Sequence, residues 1–309
     1  MMPPTRRDFI ATSAAATVAA LFARPALARA TARRQGAAPV FTPLRRNIGY
    51  FTMQGGTIGY MVNSGGVAVV DAQFPEPAKV FIAGLAERSA NRPVDVLINT
   101  HHHGDHTGGN VSFRGVARKV VAQAKAAEDI HNPPGAQPPA DQLYPDTTFT
   151  DAWSADVGDE RIAAKFYGRA HTSGDIAVTF ERANVVHMGD LLFNRRHPVV
   201  DRAAGATLRG WVRVLQGVAN DHSSDTLFIC GHANTNLPVV ASHADVGEFR
   251  DYIGAVLAFV ESQVKAGHSR AEVMAMRDPL KGFENYGRFG AEGSREMLTC
   301  AYEELTTGT

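Results

Sequence analysis

Short apolar runs alternate with glycine-rich turns after Asn47, and this pattern predicts an antiparallel β-meander. The runs occupy residues 48–52, 57–62 and 67–70. An amphipathic helix is predicted at 75–90, because apolar side chains recur on one face and a proline stands near its start. A continuous apolar run at 94–99 then predicts a buried strand.

The remainder of the chain mixes strand-like and helical patterns. Residues 131–146 carry five of the chain's 16 prolines, which predicts a loop instead of a regular element. Strand patterns follow at 161–166, 176–180, 185–188 and 226–230, and helical patterns at 207–220, 246–264, 270–276 and 291–305. This succession predicts a single α/β domain built as an αββα sandwich, with strands buried between helical layers.

The composition is that of a globular protein and excludes several classes. Apolar residues make up 44% and charged residues 20% of the 309. Basic and acidic residues number 31 each, which argues against a nucleic-acid partner. Cys230 and Cys300 are too few for a disulfide framework, and no apolar run reaches the roughly 18–20 residues of a membrane span. The composition does not determine the oligomeric state. The 12 histidines are the candidates for catalytic or metal-binding residues.

Residues 1–30 follow the order of a bacterial export signal. Basic residues precede a mildly apolar stretch, and small residues near position 30 offer a cleavage site. Residues 5–10, with the letters TRRDFI, resemble the twin-arginine signal. We therefore predict that residues 1–30 are removed, that residues 31–309 form the mature domain, and that this domain works in the periplasm.

Four histidines and an aspartate lie within six residues, directly after the predicted strand at 94–99. They are His101, His102, His103, Asp105 and His106. Imidazole and carboxylate groups are ligands of borderline divalent metals, zinc first. In an extended turn, His101 and His103 project to the same side and can grip one ion, whereas His102 points away. Asp105 and His106 could hold a second ion, so the cluster predicts a metal site.

This cluster resembles the His-x-His-x-Asp-His signature of the metallo-β-lactamase superfamily. Three further segments are similar to landmarks of that family, and they follow in order at the ends of predicted strands. These segments are residues 168–175, 188–190 and 231–232. The resemblance covers about residues 45–235, and it implies the αββα sandwich fold and a metal-dependent hydrolase.

The resemblance also implies roles for individual residues. His101, His103 and His171 would bind a first metal ion, and Asp105, His106 and His232 a second, with Asp190 bridging the two. Two Zn²⁺ are expected, with iron or manganese as alternatives. Asp105 would also be catalytic, by orienting the nucleophile or carrying a proton to the leaving group. Asp71 and Asp175 are candidates for orienting a ligand, with a plain turn or cap as the alternative.

Two divalent ions make hydroxide available near neutral pH, so the implied reaction is attack of a metal-bridging hydroxide on a carbonyl or phosphorus centre. An aspartate at position 190 is similar to thioesterases of the glyoxalase II type, lactonases, and the phosphodiesterase and nuclease branches. The classical zinc β-lactamases, which the chain also resembles, use a cysteine or no bridging residue there. Because the charge disfavours a polyanion, we predict a small carbonyl substrate: a lactone, thioester, ester or β-lactam.

Two other functions use the same residues. One is a mononuclear-iron oxygenase of the sulfur-dioxygenase type, and the other is a periplasmic zinc-binding protein without catalysis. The complete second ligand set favours two ions and hydrolysis. Lesser candidates are Arg195 or His197, to hold a substrate carboxylate, and the loop at 131–146, as a lid. Cys230 is interpreted as an inert buried thiol.

Overall fold

The computed structural model describes residues 38–290 and 294–307. The described residues all belong to one compact unit. The export signal predicted at residues 1–30 lies outside the described residues. Within the described ranges, none of the helices combines the length and the apolar character that crossing a bilayer requires.

The first sheet has seven strands, which pair in chain order. They are Val40–Pro43, Ile48–Thr52, Ile58–Asn63, Gly66–Val70, Val96–Asn99, Val120–Gln123 and Thr147–Phe149. The first four strands form the antiparallel meander that the sequence predicts, with one further strand at its start. The last three strands join in parallel.

The second sheet has six strands, and its spatial order differs from the chain order. Across the sheet they are Val240–Ser242, Leu227–Ile229, Val185–His187, Ile176–Phe180, Glu160–Phe166 and Ala152–Val157. Strands Val185–His187 and Leu227–Ile229 pair in parallel, so both end at the same edge. A small parallel pair, Phe193–Asn194 with His232–Ala233, stands beyond that edge.

The helices flank the two sheets. They are Pro75–Ser89, Gly104–Thr107, Ala124–His131, Leu208–Asp221, His243–Lys265, Arg270–Ala275 and Ser294–Thr306. Short 3-10 turns lie at Gly108–Phe113, Gly189–Leu191 and Glu284–Tyr286. Residues 132–146 contain no helix or strand, as their prolines predict.

Three apolar clusters show the layers. One lies between the sheets and joins side chains such as Val70 and Ile98 of the first sheet to Val178 and Ile229 of the second. A second cluster packs the helix Pro75–Ser89 on the outer face of the first sheet. The third packs three long helices, Leu208–Asp221, His243–Lys265 and Ser294–Thr306, on the second sheet. The predicted αββα sandwich is therefore confirmed.

The helix Leu208–Asp221 shows how the sequence produces this layering. Its apolar residues recur at spacings of three and four, which places them on one face. The buried members are Leu208, Trp211, Val214, Leu215 and Val218. Thr207 caps the first turn, because its side chain accepts a hydrogen bond from the backbone N–H of Gly210.

Several elements are not predicted by the sequence patterns. They are the strands Val40–Pro43, Val120–Gln123, Thr147–Phe149, Ala152–Val157 and Val240–Ser242, the helix Ala124–His131 and the two-residue pair beyond the second sheet. All are short or lie at an edge, where tertiary packing decides more than local pattern. The helix Ala124–His131 begins where the side chain of Gln123 accepts hydrogen bonds from two backbone N–H groups.

Candidate metal centre

The candidate ligands gather where several strands end. The histidine cluster follows the strand Val96–Asn99, which runs parallel to Gly66–Val70. Asp190 and His232 follow the parallel strands Val185–His187 and Leu227–Ile229. Because the carboxyl ends of parallel strands meet at one sheet edge, residues far apart in the chain come together there.

The first half of the centre consists of three histidines, His101, His103 and His171. His103 Nδ1 lies 3.1 Å from His101 Nε2 and 2.9 Å from His171 Nε2. With Asp190, these groups bring one potential ligand atom each to within 4.8 Å of one another. Three imidazole nitrogens with one carboxylate oxygen match the ligand types of zinc in proteins.

The second half consists of Asp105, His106 and His232. His232 Nε2 lies 3.1 Å from Asp105 Oδ2 and 3.5 Å from His106 Nε2. Their ligand atoms likewise lie within 4.8 Å of one another. The structure thus separates the six residues into the same two groups of three that the resemblance implies.

Asp190 stands between the two halves. Its Oδ2 lies 3.4 Å from His171 Nε2, and its Oδ1 lies 3.0 Å from His106 Nε2 and 3.4 Å from His232 Nε2. Oδ1 is buried and makes no hydrogen bond to the protein. A buried carboxylate oxygen without a hydrogen-bond partner is costly unless a cation binds it. The residues therefore fit a metal-binding role.

The electrostatics of the two halves also fit cations. Burial lowers the pKa of His171 to about 3 and that of His101 well below its usual value, so both present neutral nitrogen lone pairs. Burial opposes the charge of His106, but Asp190, Asp105 and Asp71 together raise its pKa well above the usual value. The site around His106 therefore attracts positive charge.

Hydrogen bonds at the outer ring nitrogens orient the histidines. Asp71 is fully buried and its Oδ2 lies 2.8 Å from His106 Nδ1, which agrees with the orienting role considered for it. His171 Nδ1 lies 2.8 Å from the carbonyl oxygen of Val199. His103 Nε2 lies 2.9 Å from Asp201 Oδ2. Asp201 is not among the sequence-derived candidates, since it stands in a loop with no motif around it.

Three lesser candidates lie outside the two halves. Asp175 accepts hydrogen bonds from the backbone and hydroxyl of Thr172, both at 2.7 Å, so it closes a local turn and does not orient a ligand ring. His102 lies outside both halves, with Nε2 3.6 Å from Asp201 Oδ2. Cys230 is fully buried, and burial raises the pKa of its thiol, as an inert thiol requires.

The residues proposed to hold a substrate carboxylate do something else. Arg195 pairs with Asp245 at 2.9 Å and with Glu248. His197 is buried, with Nδ1 2.5 Å from the hydroxyl of Tyr252. Those two predictions are therefore wrong: both side chains are used in packing the helix His243–Lys265 against the loop after Asp190.

Two glycines permit the close approach of backbone to the ligands. A Cβ at Gly56 would collide with the ring of His106, and one at Gly231 would collide with Asp190 Oδ1. The loop at Gly56 is tied down, because its N–H donates to the carbonyl oxygen of Asp105 at 2.9 Å. The turn between the second and third strands therefore forms a wall of the site.

The fold and the site define an αββα protein with a two-part histidine and aspartate centre. The chain belongs to the metallo-beta-lactamase superfamily, whose family model matches residues 53–232. It is 27% identical over 172 residues to a hydroxyacylglutathione hydrolase of Rhodospirillum rubrum, covering 56% of this chain and 59% of that protein. It is 23% identical over 173 residues to the metallo-beta-lactamase IND-1 of Chryseobacterium indologenes, covering 56% of this chain and 70% of that protein.

Solved structures agree on the fold. A metallo-beta-lactamase from Pontibacter korlensis superposes with a TM-score of 0.58 and 17% sequence identity, covering 70% of this chain and 99% of that one. The match to the Rhodospirillum rubrum protein spans less than two thirds of its length. The comparisons therefore show the family and the fold.

Proposed function

We propose that the protein is a dinuclear zinc-dependent hydrolase that attacks a carbonyl centre in a lactone, thioester, ester or β-lactam. The observation that carries this proposal is the position of Asp190. Its two oxygens face different halves of the centre, with Oδ2 3.4 Å from His171 and Oδ1 3.0 Å from His106. A carboxylate shared between two sets of ligands suits a pair of ions.

Two divalent ions held by these residues would supply a hydroxide nucleophile near neutral pH and polarise the substrate carbonyl. The chain contributes Asp105 at the open side of the site. Burial alone would raise the pKa of Asp105, but His106 and His232 lower it to about 2. Its Oδ2 is therefore a carboxylate oxygen that can accept a hydrogen bond from the attacking water and orient it.

Two features favour hydrolysis over the alternatives. The second half of the centre is complete, whereas an oxygenase with one iron would leave it idle. Two relatives are named as a hydroxyacylglutathione hydrolase and a metallo-beta-lactamase, and both names describe hydrolysis of a carbonyl compound. The names differ in substrate, so they support the reaction type and leave the substrate to experiment.

Metal content followed by a substrate panel tests this function. We expect about two zinc ions per chain and turnover of at least one lactone, thioester, ester or β-lactam. Asp105→Ala should abolish most of that turnover, with Asp156→Ala, an exposed carboxylate on the second sheet, as the matched control. One iron per chain with oxygen consumption would identify the oxygenase. Full metal loading without turnover on any substrate would identify a metal-binding protein.

We also propose that residues 1–30 act as a twin-arginine export signal and that the mature enzyme is periplasmic. The support is the order of residues 5–10 and the small residues that follow. In the double variant Arg6→Lys with Arg7→Lys, the precursor should stay in the cytoplasm, and cell fractionation measures this. Unchanged export, or an intact N-terminus on the exported protein, would contradict this.

A further inference from the structure

A closed cycle of hydrogen bonds joins the turn after the second strand to two ligand-bearing segments of the second sheet. The N–H and the hydroxyl of Thr57 both donate to the carbonyl oxygen of Gly231, at 3.1 and 3.0 Å. The N–H of Gly231 donates to the carbonyl oxygen of Gly189 at 2.7 Å. The N–H of Gly189 donates to His187 Nδ1 at 3.2 Å, and His187 Nε2 lies 3.1 Å from the carbonyl oxygen of Thr57. These four buried residues therefore form one continuous hydrogen-bond cycle.

The cycle uses both ring nitrogens of His187. Because a backbone N–H can only donate, Nδ1 accepts the hydrogen bond from Gly189, and the ring proton on Nε2 is donated to Thr57. The fold leaves room for the imidazole, since a Cβ placed on Gly59 of the third strand would lie 2.6 Å from His187 Cδ2. An apolar side chain at position 187 would fill the same space but leave two buried backbone groups unpaired, which is costly. The imidazole therefore links two segments as well as filling space.

The hydrogen-bond cycle holds two metal-ligand segments at a fixed separation. Gly189 immediately precedes Asp190, and Gly231 immediately precedes His232. The two ligand side chains lie close together, with His232 Nε2 3.4 Å from Asp190 Oδ1. Since the cycle acts on the backbone directly before each ligand, the loss of one of its hydrogen bonds should displace the ligand itself.

The same turn also contacts the other two ligands of the second half. The N–H of Gly56, next to Thr57, donates to the carbonyl oxygen of Asp105 at 2.9 Å, and a Cβ at Gly56 would collide with the imidazole of His106. The turn at 56–57 therefore contacts the segments of all three ligands of the second half. The histidines of the first half are oriented by other groups, which belong to Thr100, Val199 and Asp201.

We propose that Thr57 and His187 are positioning residues for the metal ion of the second half. This inference rests on the two-ion centre proposed above. Both residues act through the backbone of Gly189 and Gly231, and so determine where the bridging aspartate and the last histidine ligand stand. Loss of either side chain should weaken binding of the second ion, whereas the first ion keeps its three histidines and their own supports.

Titration of the metal-free protein with Co²⁺ against a competing chelator tests the role of Thr57. Co²⁺ binds imidazole and carboxylate ligands, and its visible absorption reports their geometry. Thr57→Val keeps the shape of the side chain but loses the hydroxyl, so the second Co²⁺ should bind about tenfold more weakly and with an altered absorption band. The first Co²⁺ should bind within about twofold of its wild-type affinity, because its ligands have other supports. Thr57→Ser restores the hydroxyl and should restore the affinity and the spectrum.

Thr226→Val is the matched control for Thr57→Val. Thr226 is as buried as Thr57, and its hydroxyl also makes a hydrogen bond, to Asn184 Oδ1 at 2.6 Å. It precedes the strand Leu227–Ile229, whereas Gly231 follows that strand at its other end. Thr226→Val should therefore leave both Co²⁺ affinities and the absorption spectrum unchanged, even if it lowers stability.

Two amide variants separate the two hydrogen bonds of His187. The amide of asparagine reaches the position of Nδ1, and that of glutamine reaches the position of Nε2. His187→Asn should keep the hydrogen bond from Gly189 and lose the one to Thr57, and His187→Gln should do the reverse. Each should weaken the second Co²⁺ about three- to tenfold, and His187→Phe, which keeps neither bond, should weaken it more. His222→Asn is the control, since both ring nitrogens of His222 also lie near protein oxygens, at 3.2 and 2.9 Å.

Denaturant unfolding of the same variants distinguishes positioning from packing. If the Thr57 and His187 variants lose stability but bind the second Co²⁺ as the wild type does, the two side chains are structural and the inference is wrong. It is equally wrong if both ions weaken by the same factor. Should His187→Phe not fold, Thr57→Val and the two amide variants still decide the question.

Activity measurements separate this inference from the hydrolase function. If no substrate is turned over but the variants bind the second Co²⁺ more weakly, the positioning role stands and the hydrolase function fails. If a substrate is turned over and the variants bind both ions as the wild type does, the positioning role fails and the hydrolase stands. A wild-type protein that binds a single Co²⁺ at every concentration would overturn both.

Discussion

The two halves of the metal centre differ in charge and in exposure, although they share Asp190. Apart from Asp190, the first half presents only imidazoles, and burial lowers the pKa of His171 to about 3. In the second half, burial lowers the pKa of His232, but Asp190 and Asp105 outweigh it and raise the pKa to about 9. His232 therefore lies against two carboxylates, whereas His101 and His171 of the first half present neutral nitrogens.

This difference indicates unequal ion binding. Neutral imidazoles held by fixed partners are strong ligands for zinc, and His101 and His171 are fully buried. The second half faces the opening through Asp105 and His232, where water can compete for the ion. We expect a slowly exchanging ion in the first half and a faster one in the second.

The largest effect should come from the residue that the halves share. Asp190→Asn keeps the shape of the side chain and removes its charge, so both halves lose a ligand. Activity should fall by more than the roughly 100-fold typical of changes outside the ligand shell, and metal content should drop below two ions per chain. Elemental analysis and kcat measure this, with circular dichroism to confirm folding. If the variant still bound two ions, the bridging role of Asp190 would be contradicted.

Ligand deletions in each half sharpen the comparison. During graded dialysis against a chelator, the wild type should lose one ion quickly and the other slowly. His232→Ala should retain only the slow ion, and His103→Ala only the fast one. The readout is metal content against time. If His103→Ala retains the slow ion instead, the order of affinities is the reverse of that expected from burial.

Substitution of the carboxylates that orient ligand histidines should have smaller effects on metal affinity, and the two effects should differ in size. Asp71 is fully buried and also accepts hydrogen bonds from the backbone and hydroxyl of Thr100, both at 2.8 Å. Asp71→Asn should lower metal affinity in the second half by about 10- to 100-fold and stability by about 1–3 kcal/mol.

The same change at Asp201 is the matched test in the first half. Asp201 is 21% exposed, so water can replace part of its hydrogen bond to His103. Asp201→Asn should therefore lower metal affinity in the first half by only about tenfold, with little loss of stability. Metal titration and denaturant unfolding measure both quantities. If Asp201→Asn lowered metal affinity more than Asp71→Asn, the exposure of these carboxylates would not determine how much each contributes to metal binding.

The fold is predictable where the pattern is long and periodic. The helix predicted at 75–90 is found at Pro75–Ser89, and the strand predicted at 176–180 is found at Ile176–Phe180. The strand Ala152–Val157 is missed because its side chains alternate between exposed and half-buried at the edge of the second sheet. Only its pairing with Glu160–Phe166 defines it as a strand.

The site residues also differ in how far a local sequence pattern predicts them. His101, His103, Asp105 and His106 form a local motif, so their spacing alone predicts a metal site. His171, Asp190 and His232 depend on the family resemblance, because a lone polar residue after a strand has no distinctive pattern. Asp201 lies 98 residues from His103, and only the folded chain brings the two together. Asp175 has a suitable position in sequence but is used by the turn at Thr172.

The smallest effect is expected at Cys230, which stands two residues before His232 yet belongs to neither half. It is fully buried, and burial raises the pKa of its thiol, so the thiolate that would bind a metal is disfavoured. Cys230→Ala should cost about 1–2 kcal/mol of stability, through a small cavity, and leave metal content and kcat unchanged. Cys300→Ala, at another buried thiol remote in sequence from the ligands, is the control for loss of packing. If only Cys230→Ala releases the faster ion, the thiol is part of the second half, and the contrast between a half with three histidines and a half with a second carboxylate no longer describes the centre.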